Sequence, residues 1–394
     1  LQAELNIGVL GHVDHGKTTL VRALTGKWTD THSEELKRGI SIRLGYADMN
    51  VYQCERCGAY SNKDTCLVCG GPATFKRRVS FVDAPGHETL MATTIAGSSI
   101  IDGVLFIVAA DEKCPQPQTK EHFAIIEALN IKNIVIVQTK IDLVSKERAK
   151  QSLEEIKAFV KGTVAEDAPI IPVVATHGIN IHYLLQAIEQ YIPTPQRDES
   201  KDPIMYISRS FDVNKPGTPI SHLQGGVVGG SIKDGVIKLG DVLELRPGVE
   251  WKGKLESVSF EVTSLRAEKD VLTEAKPGGL IAVGTTLDPA LTKADSLIGN
   301  VIGKPGALPE VLTELDVEYE ILPIRKDEVK GFVKNEPVVL NVHTATTVGF
   351  ITDVKGSVFR VKLKRPVAVE KGSAVAISKR IGQRWKLSAW GKVK

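Results

Sequence analysis

Cysteine, methionine and aromatic residues are scarce in this chain: five Cys, three Met and 5% Phe, Trp and Tyr in 394 residues. An odd, small cysteine count argues against a disulfide scaffold and for a reducing compartment, so a cytoplasmic location is expected. No run of about 18 apolar residues occurs, so no membrane span is expected. LQAELNIGVLG (1–11) lacks a basic n-region and a cleavage site, so no secretory signal is expected there. Neither charge sign dominates: 50 Lys and Arg against 47 Asp and Glu leave +3. Any polyanion-binding surface must therefore be local.

The length predicts two to four domains, and 42% hydrophobic with 25% charged residues is a globular composition. Short apolar runs, NIGVL (6–10), VSFVD (79–83), GVLFIVAA (103–110), NIVIVQT (133–139) and PIIPVVA (169–175), read as strands buried on both faces of a parallel sheet. Helix-like stretches at 119–130, 146–162 and 182–192 alternate with them, which is the pattern of a doubly wound α/β domain. PTPQRDESKDP (193–203) reads as a linker. Beyond it the chain turns to strand-length segments punctuated by Gly, Pro, Asn and Asp, which predict two β-barrels or sandwiches with a boundary near KPGALPEVL (304–312). The expected domains are 1–199, 200–308 and 309–394.

GHVDHGKT (11–18) fits G-x-x-x-x-G-K-[ST] between a strand and a helix, the context a phosphate loop requires. Backbone N–H groups and the helix N-terminus favour phosphate oxygens there. Asp14, His15, Gly16, Lys17, Thr18 and Thr19 are the predicted contacts, with Lys17 on the β- and γ-phosphates and the Thr18 hydroxyl on Mg²⁺. The His12 and His15 side chains have no cysteine or carboxylate spacing that makes them metal ligands. DAPGH (83–87) ends a strand. Asp83 has the chemistry to hold Mg²⁺ through a water, Gly86 to offer an N–H to a γ-phosphate, and His87 to orient an attacking water. Alone, such a stretch is an ordinary strand-end turn. TKID (139–142) follows the next strand. Asp142 can accept two hydrogen bonds from guanine, with the Lys140 stem across the base; the bland alternative is a helix cap. Val174, Ala175 and Thr176 end the following strand, where a backbone N–H suits the guanine O6.

CERCGAYSNKDTCLVC (54–69) holds two C-x-x-C pairs, Cys54 with Cys57 and Cys66 with Cys69. Four thiolates suit tetrahedral Zn²⁺ at about 2.3 Å, and with no open position such a site is structural. The alternative is four buried free thiols.

GHVDHGKTT, RGISI, DAPGH and GSIKDGVIKLGD resemble the translational GTPases, elongation factor Tu and its relatives. Within them, TGKWTDTHSEELKRGISIRLGYAD (25–48), PQPQTKEH (115–122), KGTVAEDAPIIPV (161–173), RSFDVNKPGT (209–218), KPGGL (276–280), LDPALTKAD (287–295) and ISKRIGQRW (377–385) are most similar to the gamma-subunit family of archaeal translation initiation factor 2. The resemblance covers the whole chain. It implies an α/β P-loop GTPase domain with a mostly parallel sheet, followed by two β-barrel domains. It also implies a zinc knuckle at the four cysteines, which elongation factor Tu lacks. Thr18 and Ser41 would ligate Mg²⁺ with Asp83 in its outer shell, and Asp14 and the Gly39 carbonyl would lie near a second magnesium. His87 would place the hydrolytic water. The implied function is GTP-dependent binding of methionylated initiator tRNA and its delivery to the small ribosomal subunit. The implied partners are alpha and beta subunits in a heterotrimer, without a membrane.

The chain departs from the family pattern at Thr139 (usually Asn), Val174 (usually Ser) and Ser41 (usually Thr), and over 317–338. KRIGQRWKLSAWGKVK (379–394) has six basic residues, Trp385, Trp390 and no acid. It reads as an RNA surface or, as readily, as a barrel strand with a solvated basic face. Lys37, Arg38 and Arg43 flank Ser41 in the same two-sided way. The rival readings are a general or selenocysteine-specific elongation factor, the GTPase subunit of sulfate adenylyltransferase, and a GTP-binding scaffold.

Overall fold

The computed structural model describes residues 1–29, 45–84, 95 and 100–394. Seven strands, β1 (Leu5–Gly11), β2 (Gly45–Cys54), β3 (Tyr60–Ser61), β4 (Ala73–Asp83), β5 (Gly103–Ala109), β6 (Ile134–Thr139) and β7 (Ile170–Pro172), form one sheet in the order β3-β2-β4-β1-β5-β6-β7. β1, β5 and β6 are buried at every residue, as expected of strands covered by helices on both faces. The pairings from β4 through β7 are parallel. β2 and β3 add an antiparallel edge that the apolar runs do not announce. β2 alternates buried and half-buried residues, the mark of a strand near the edge of a sheet.

Among the described residues, four helices accompany this sheet: α1 (Lys17–Thr25), α2 (Pro117–Ala128), α3 (Lys146–Val160) and α4 (Ile181–Tyr191). α1 turns Leu20, Val21 and Leu24 into a core shared with Leu5, Ile7 and Val9 of β1 and Leu184, Leu185 and Ile188 of α4. Each such side chain contributes about 1.5–3 kcal/mol by leaving water, and that anchors the helix behind the phosphate loop. Residues Ala3–Pro195 form one compact unit, and Gln196–Lys394 with Leu1–Gln2 form the other.

The second unit holds two barrels. The first closes through Ile204–Phe211, Val227–Asp234, Ile281–Thr285, Lys254–Ala267, Val242–Trp251 and Val301–Gly303. The second closes through Val311–Ile321, Val358–Ala368, Ala345–Lys355, Pro337–Val342, Ala374–Ile381 and Arg384–Val393. Closure removes strand edges, so these are barrels rather than sandwiches. In the basic C-terminal segment, Lys379 pairs with Glu336 at 2.8 Å, Lys386 with Glu328 at 3.6 Å and Lys394 with Glu318 at 2.9 Å. These three cations are matched by carboxylates of their own barrel. No helix among the described residues is long and apolar enough to cross a membrane.

Tyr206 of the first barrel stacks on His343 of the second, with ring centroids 4.1 Å apart, and its hydroxyl lies 3.3 Å from His343 Nε2. Burial, and then the nearby Lys233, push the His343 imidazole down to about 4. The unfolded chain therefore takes up this proton first as pH falls. Stability should drop by roughly 2–3 kcal/mol between the ordinary histidine pKa of about 6.5 and pH 4, then level off for this group. Urea denaturation across that range should show a shallower decline in His343→Gln; an unchanged slope would contradict the assignment.

Candidate functional site

β1 brings Gly11 to the carboxyl edge of the sheet and α1 begins at Lys17, so the intervening loop crosses the strand ends. A Cβ at Gly11 would lie 2.4 Å from the Ile107 carbonyl oxygen, and Gly16 caps α1 in the left-handed region at φ 88°. Both positions require glycine. The Lys17 ammonium donates to the His12 carbonyl at 2.7 Å and so lies over the loop. The Thr18 hydroxyl donates to Asp83 Oδ2 at 2.7 Å, and the Thr29 hydroxyl donates to the same oxygen at 2.7 Å. Asp83 is 1% exposed. Hydroxyl and carboxylate oxygens are donors that suit a hard cation such as Mg²⁺.

The strand register gathers the other motifs at this edge. Val9 lies opposite Asp83, Ala109 opposite Thr139 and Gln138 opposite Pro172. In open α/β sheets ligands bind beyond the carboxyl ends of the strands. The buried Thr139 hydroxyl donates to the His15 carbonyl at 2.7 Å. The residue that departs from the family pattern thus ties β6 directly to the phosphate loop. Lys140 has φ 57° and pairs with Asp111 at 3.0 Å. Asp142 is exposed in the short helix Ile141–Leu143, while the cap of α3 is Ser145, whose side chain accepts from the Arg148 N–H. The bland reading of Asp142 as that cap does not hold. Val174 is buried with its N–H donated to the Ile179 carbonyl at 3.2 Å; Ala175 opens a short turn and Thr176 is exposed.

Sequence motifs did not single out the side chains that hold the loop from behind. Gln118 Oε1 accepts from the Val13 N–H and His122 Nδ1 from the Gly11 N–H, both at 3.3 Å. They are four residues apart and share one face of α2. The available signal was a histidine inside the otherwise apolar HFAII run. His15 lies 3.4 Å from Glu112 and 3.3 Å from the Ile107 carbonyl, and burial pushes its pKa down. Gly39, Ser41, Gly86 and His87, with Lys37, Arg38 and Arg43, lie outside the described residues.

The four-cysteine segment links β2 to β4. Cys54 Sγ lies 3.4 Å from Cys69 Sγ and Cys57 Sγ 3.6 Å from Cys66 Sγ, and all four sulfurs lie within 4.8 Å of one another. A tetrahedron with bonds of about 2.3 Å has edges of about 3.8 Å, so the donor set fits Zn²⁺. The two halves repeat one geometry. Arg56 N–H points at Cys54 Sγ and Val68 N–H at Cys66 Sγ, both at 3.4 Å. Gly58 N–H donates to the Cys54 carbonyl and Gly70 N–H to the Cys66 carbonyl, both at 3.0 Å. The Cys57 and Arg56 amides pull the Cys54 thiol down to about 6, and the Cys69 and Val68 amides lower Cys66. At these two positions the amides favour the thiolate, the form that binds metal, while Cys57, despite the Ala59 amide, is pushed up to about 12 by its contacts with the Cys54 and Cys69 sulfurs. The fifth cysteine, Cys114, is buried and its thiol is pushed up to about 12.

Residues 2–194 match the family described as elongation factor Tu GTP binding domain, and residues 313–393 match initiation factor eIF2 gamma, C terminal. The translation initiation factor 2 subunit gamma of Methanococcus aeolicus is 54% identical over 402 residues, covering 99% of this chain and 98% of its own. That of Methanocaldococcus jannaschii is 52% identical over 406 residues, covering 100% and 98%. A bacterial selenocysteine-specific elongation factor superposes with a TM-score of 0.78 at 26% identity, over 99% of this chain and 58% of its own. The elongation factor SelB of Methanococcus maripaludis, solved with a GTP analogue, shares the fold at a TM-score of 0.75 and 23% identity, over 100% of this chain and 79% of its own.

Native mass spectrometry should find one zinc ion per chain. Cys57→Ser should lose it and lower the melting temperature, since a structural zinc contributes folding free energy. A Cys57→Ser protein as stable as the parent, or a parent without metal, would contradict the zinc assignment.

Proposed function

This chain belongs to the family of translation initiation factor 2 gamma subunits and is a GTPase, and on that premise we propose that it carries methionylated initiator tRNA to the small ribosomal subunit under the control of GTP. The observation that supports the nucleotide site most is the joining of three motifs by side-chain hydrogen bonds, Thr18 to Asp83 and Thr139 to His15. The tRNA reading rests on identity along the whole length to gamma subunits. The same identity favours it over an elongation factor or the GTPase subunit of sulfate adenylyltransferase.

In this reading the backbone from Asp14 to Thr19 binds the phosphates and Lys17 supplies fixed positive charge. Thr18 and Ser41 would hold Mg²⁺ with Asp83 behind them, and Asp14 with Gly39 a second ion. Bound magnesium neutralises charge on the β- and γ-phosphate oxygens. Gly86 reports the γ-phosphate and His87 orients the hydrolytic water. Asp142 reads guanine, Lys140 covers the base, Thr139 fixes the loop beneath it, and the turn at Val174, Ala175 and Thr176 meets the guanine oxygen. Cys54, Cys57, Cys66 and Cys69 hold zinc. The barrels take the acceptor end of the tRNA, and alpha and beta subunits complete the carrier.

The test is protection of the methionyl ester of initiator tRNA against spontaneous hydrolysis, with and without a matching alpha subunit. Protection should be strong with a non-hydrolysable GTP analogue, weaker with GDP and lost with elongator tRNA. No protection in any nucleotide state, even with the alpha subunit, would overturn the carrier reading.

A further inference from the structure

We propose that Asn62, on the four-cysteine insertion, is a positioning residue for the phosphate-loop helix, so that the metal clip acts on the nucleotide site. The inference rests on the nucleotide-site reading above. A helix leaves its last carbonyls without partners inside the helix, and these must be met from elsewhere. In α1 the Arg22 carbonyl accepts from the Gly26 N–H at 2.8 Å. The next two are met from the insertion: Asn62 Nδ2 donates to the Ala23 carbonyl at 3.2 Å and to the Leu24 carbonyl at 2.7 Å. One amide group has two protons, and both are used across 38 residues of sequence.

The clip sets where Asn62 sits. It follows β3 directly and lies between Cys57 and Cys66, whose sulfurs approach to 3.6 Å. The turn is closed on itself, with the buried Ser61 hydroxyl donating to the Thr65 carbonyl at 2.8 Å and accepting from the Lys63 N–H at 3.2 Å. β3 is pinned to β2 through Tyr52 opposite Ser61 and Gln53 opposite Tyr60.

The capped end of α1 leads straight back to the candidate magnesium site. Lys27 N–H donates to the Thr25 hydroxyl at 3.1 Å, the Arg22 guanidinium lies 5.2 Å from the Trp28 ring centroid, and Thr29 reaches Asp83. Both Thr18, at the start of α1, and Thr29, just beyond its end, bond one Asp83 oxygen. Asn62 therefore fixes the end of a helix whose first turn and following segment both bond Asp83. Loss of its two donors frays the last turn, moves Thr29 away from Asp83 and loosens the site that holds nucleotide and magnesium.

The experiment measures release of a fluorescent GDP and zinc content on the same preparations. Asn62→Ala and the near-isosteric Asn62→Asp, which lacks both donors, should keep one zinc per chain and release GDP about five- to tenfold faster. Asn62→Gln, which keeps the amide, should recover part of the difference. Hydrogen exchange should quicken in residues 21–26 of the two donor-less variants. Stripping zinc from the parent should quicken release to a similar degree, and stripping it from Asn62→Ala should add little. Parental release rates in both donor-less variants with zinc retained would overturn the proposal, as would full additivity of zinc stripping with Asn62→Ala. A parent protein that binds no GDP would overturn the nucleotide-site reading itself, and this proposal with it.

Discussion

A single buried carboxylate organises the nucleotide domain. Asp83 ends β4, is 1% exposed, and accepts hydroxyl donors from Thr18 and Thr29. An ionised carboxylate taken out of water costs several kcal/mol unless donors or a cation meet it. Here one donor lies in the first turn of α1 and the other just beyond its last turn, so meeting the carboxylate also fixes the helix. The sheet sets the position of the carboxylate in turn, because β4 pairs with β1 and places Asp83 opposite Val9, two residues before the phosphate loop. Strand pairing, helix placement and the predicted ion site are one constraint seen from three elements.

The loop itself is held from outside. Gln118 and His122 take two of its backbone N–H groups and Thr139 takes one of its carbonyls. A loop shaped in advance loses less conformational freedom when a ligand arrives, which raises affinity without any further contact. The insertion plays a matching part at the sheet margin. β3 is only two residues long, lies between the two C-x-x-C pairs and covers the edge of β2. A short strand at an edge offers little backbone for unwanted pairing. The barrels solve the same problem by closing.

What the sequence disclosed follows from the range of each interaction. The β1–loop–α1 unit and the two C-x-x-C pairs were legible because the residues involved are neighbours along the chain and their spacing is the signal. The continuous apolar strands were legible because burial on both faces leaves no alternation. β2 was missed because its GYADMNVYQC sequence alternates and mixes polar residues, and its pairing with β4 lies across the cysteine insertion. Gln118 and His122 meet the loop across 105 and 111 residues, and no local pattern encodes such a contact. Thr139 stood out as a departure from a family pattern; its bond to the His15 carbonyl gives it a physical role. The basic C-terminal segment read two ways, and its ion pairs with Glu336, Glu328 and Glu318 favour the barrel strand.

In the proposed reading, Asp83 joins the helix and the magnesium-dependent nucleotide site into one unit. The most direct measurement is the rate of GDP release as a function of Mg²⁺ concentration in the parent and in Asp83→Asn. Magnesium should slow release in the parent, whereas Asp83→Asn, folded by circular dichroism, should release GDP rapidly at every magnesium concentration. An Asp83→Asn protein with the parental magnesium dependence would contradict this reading.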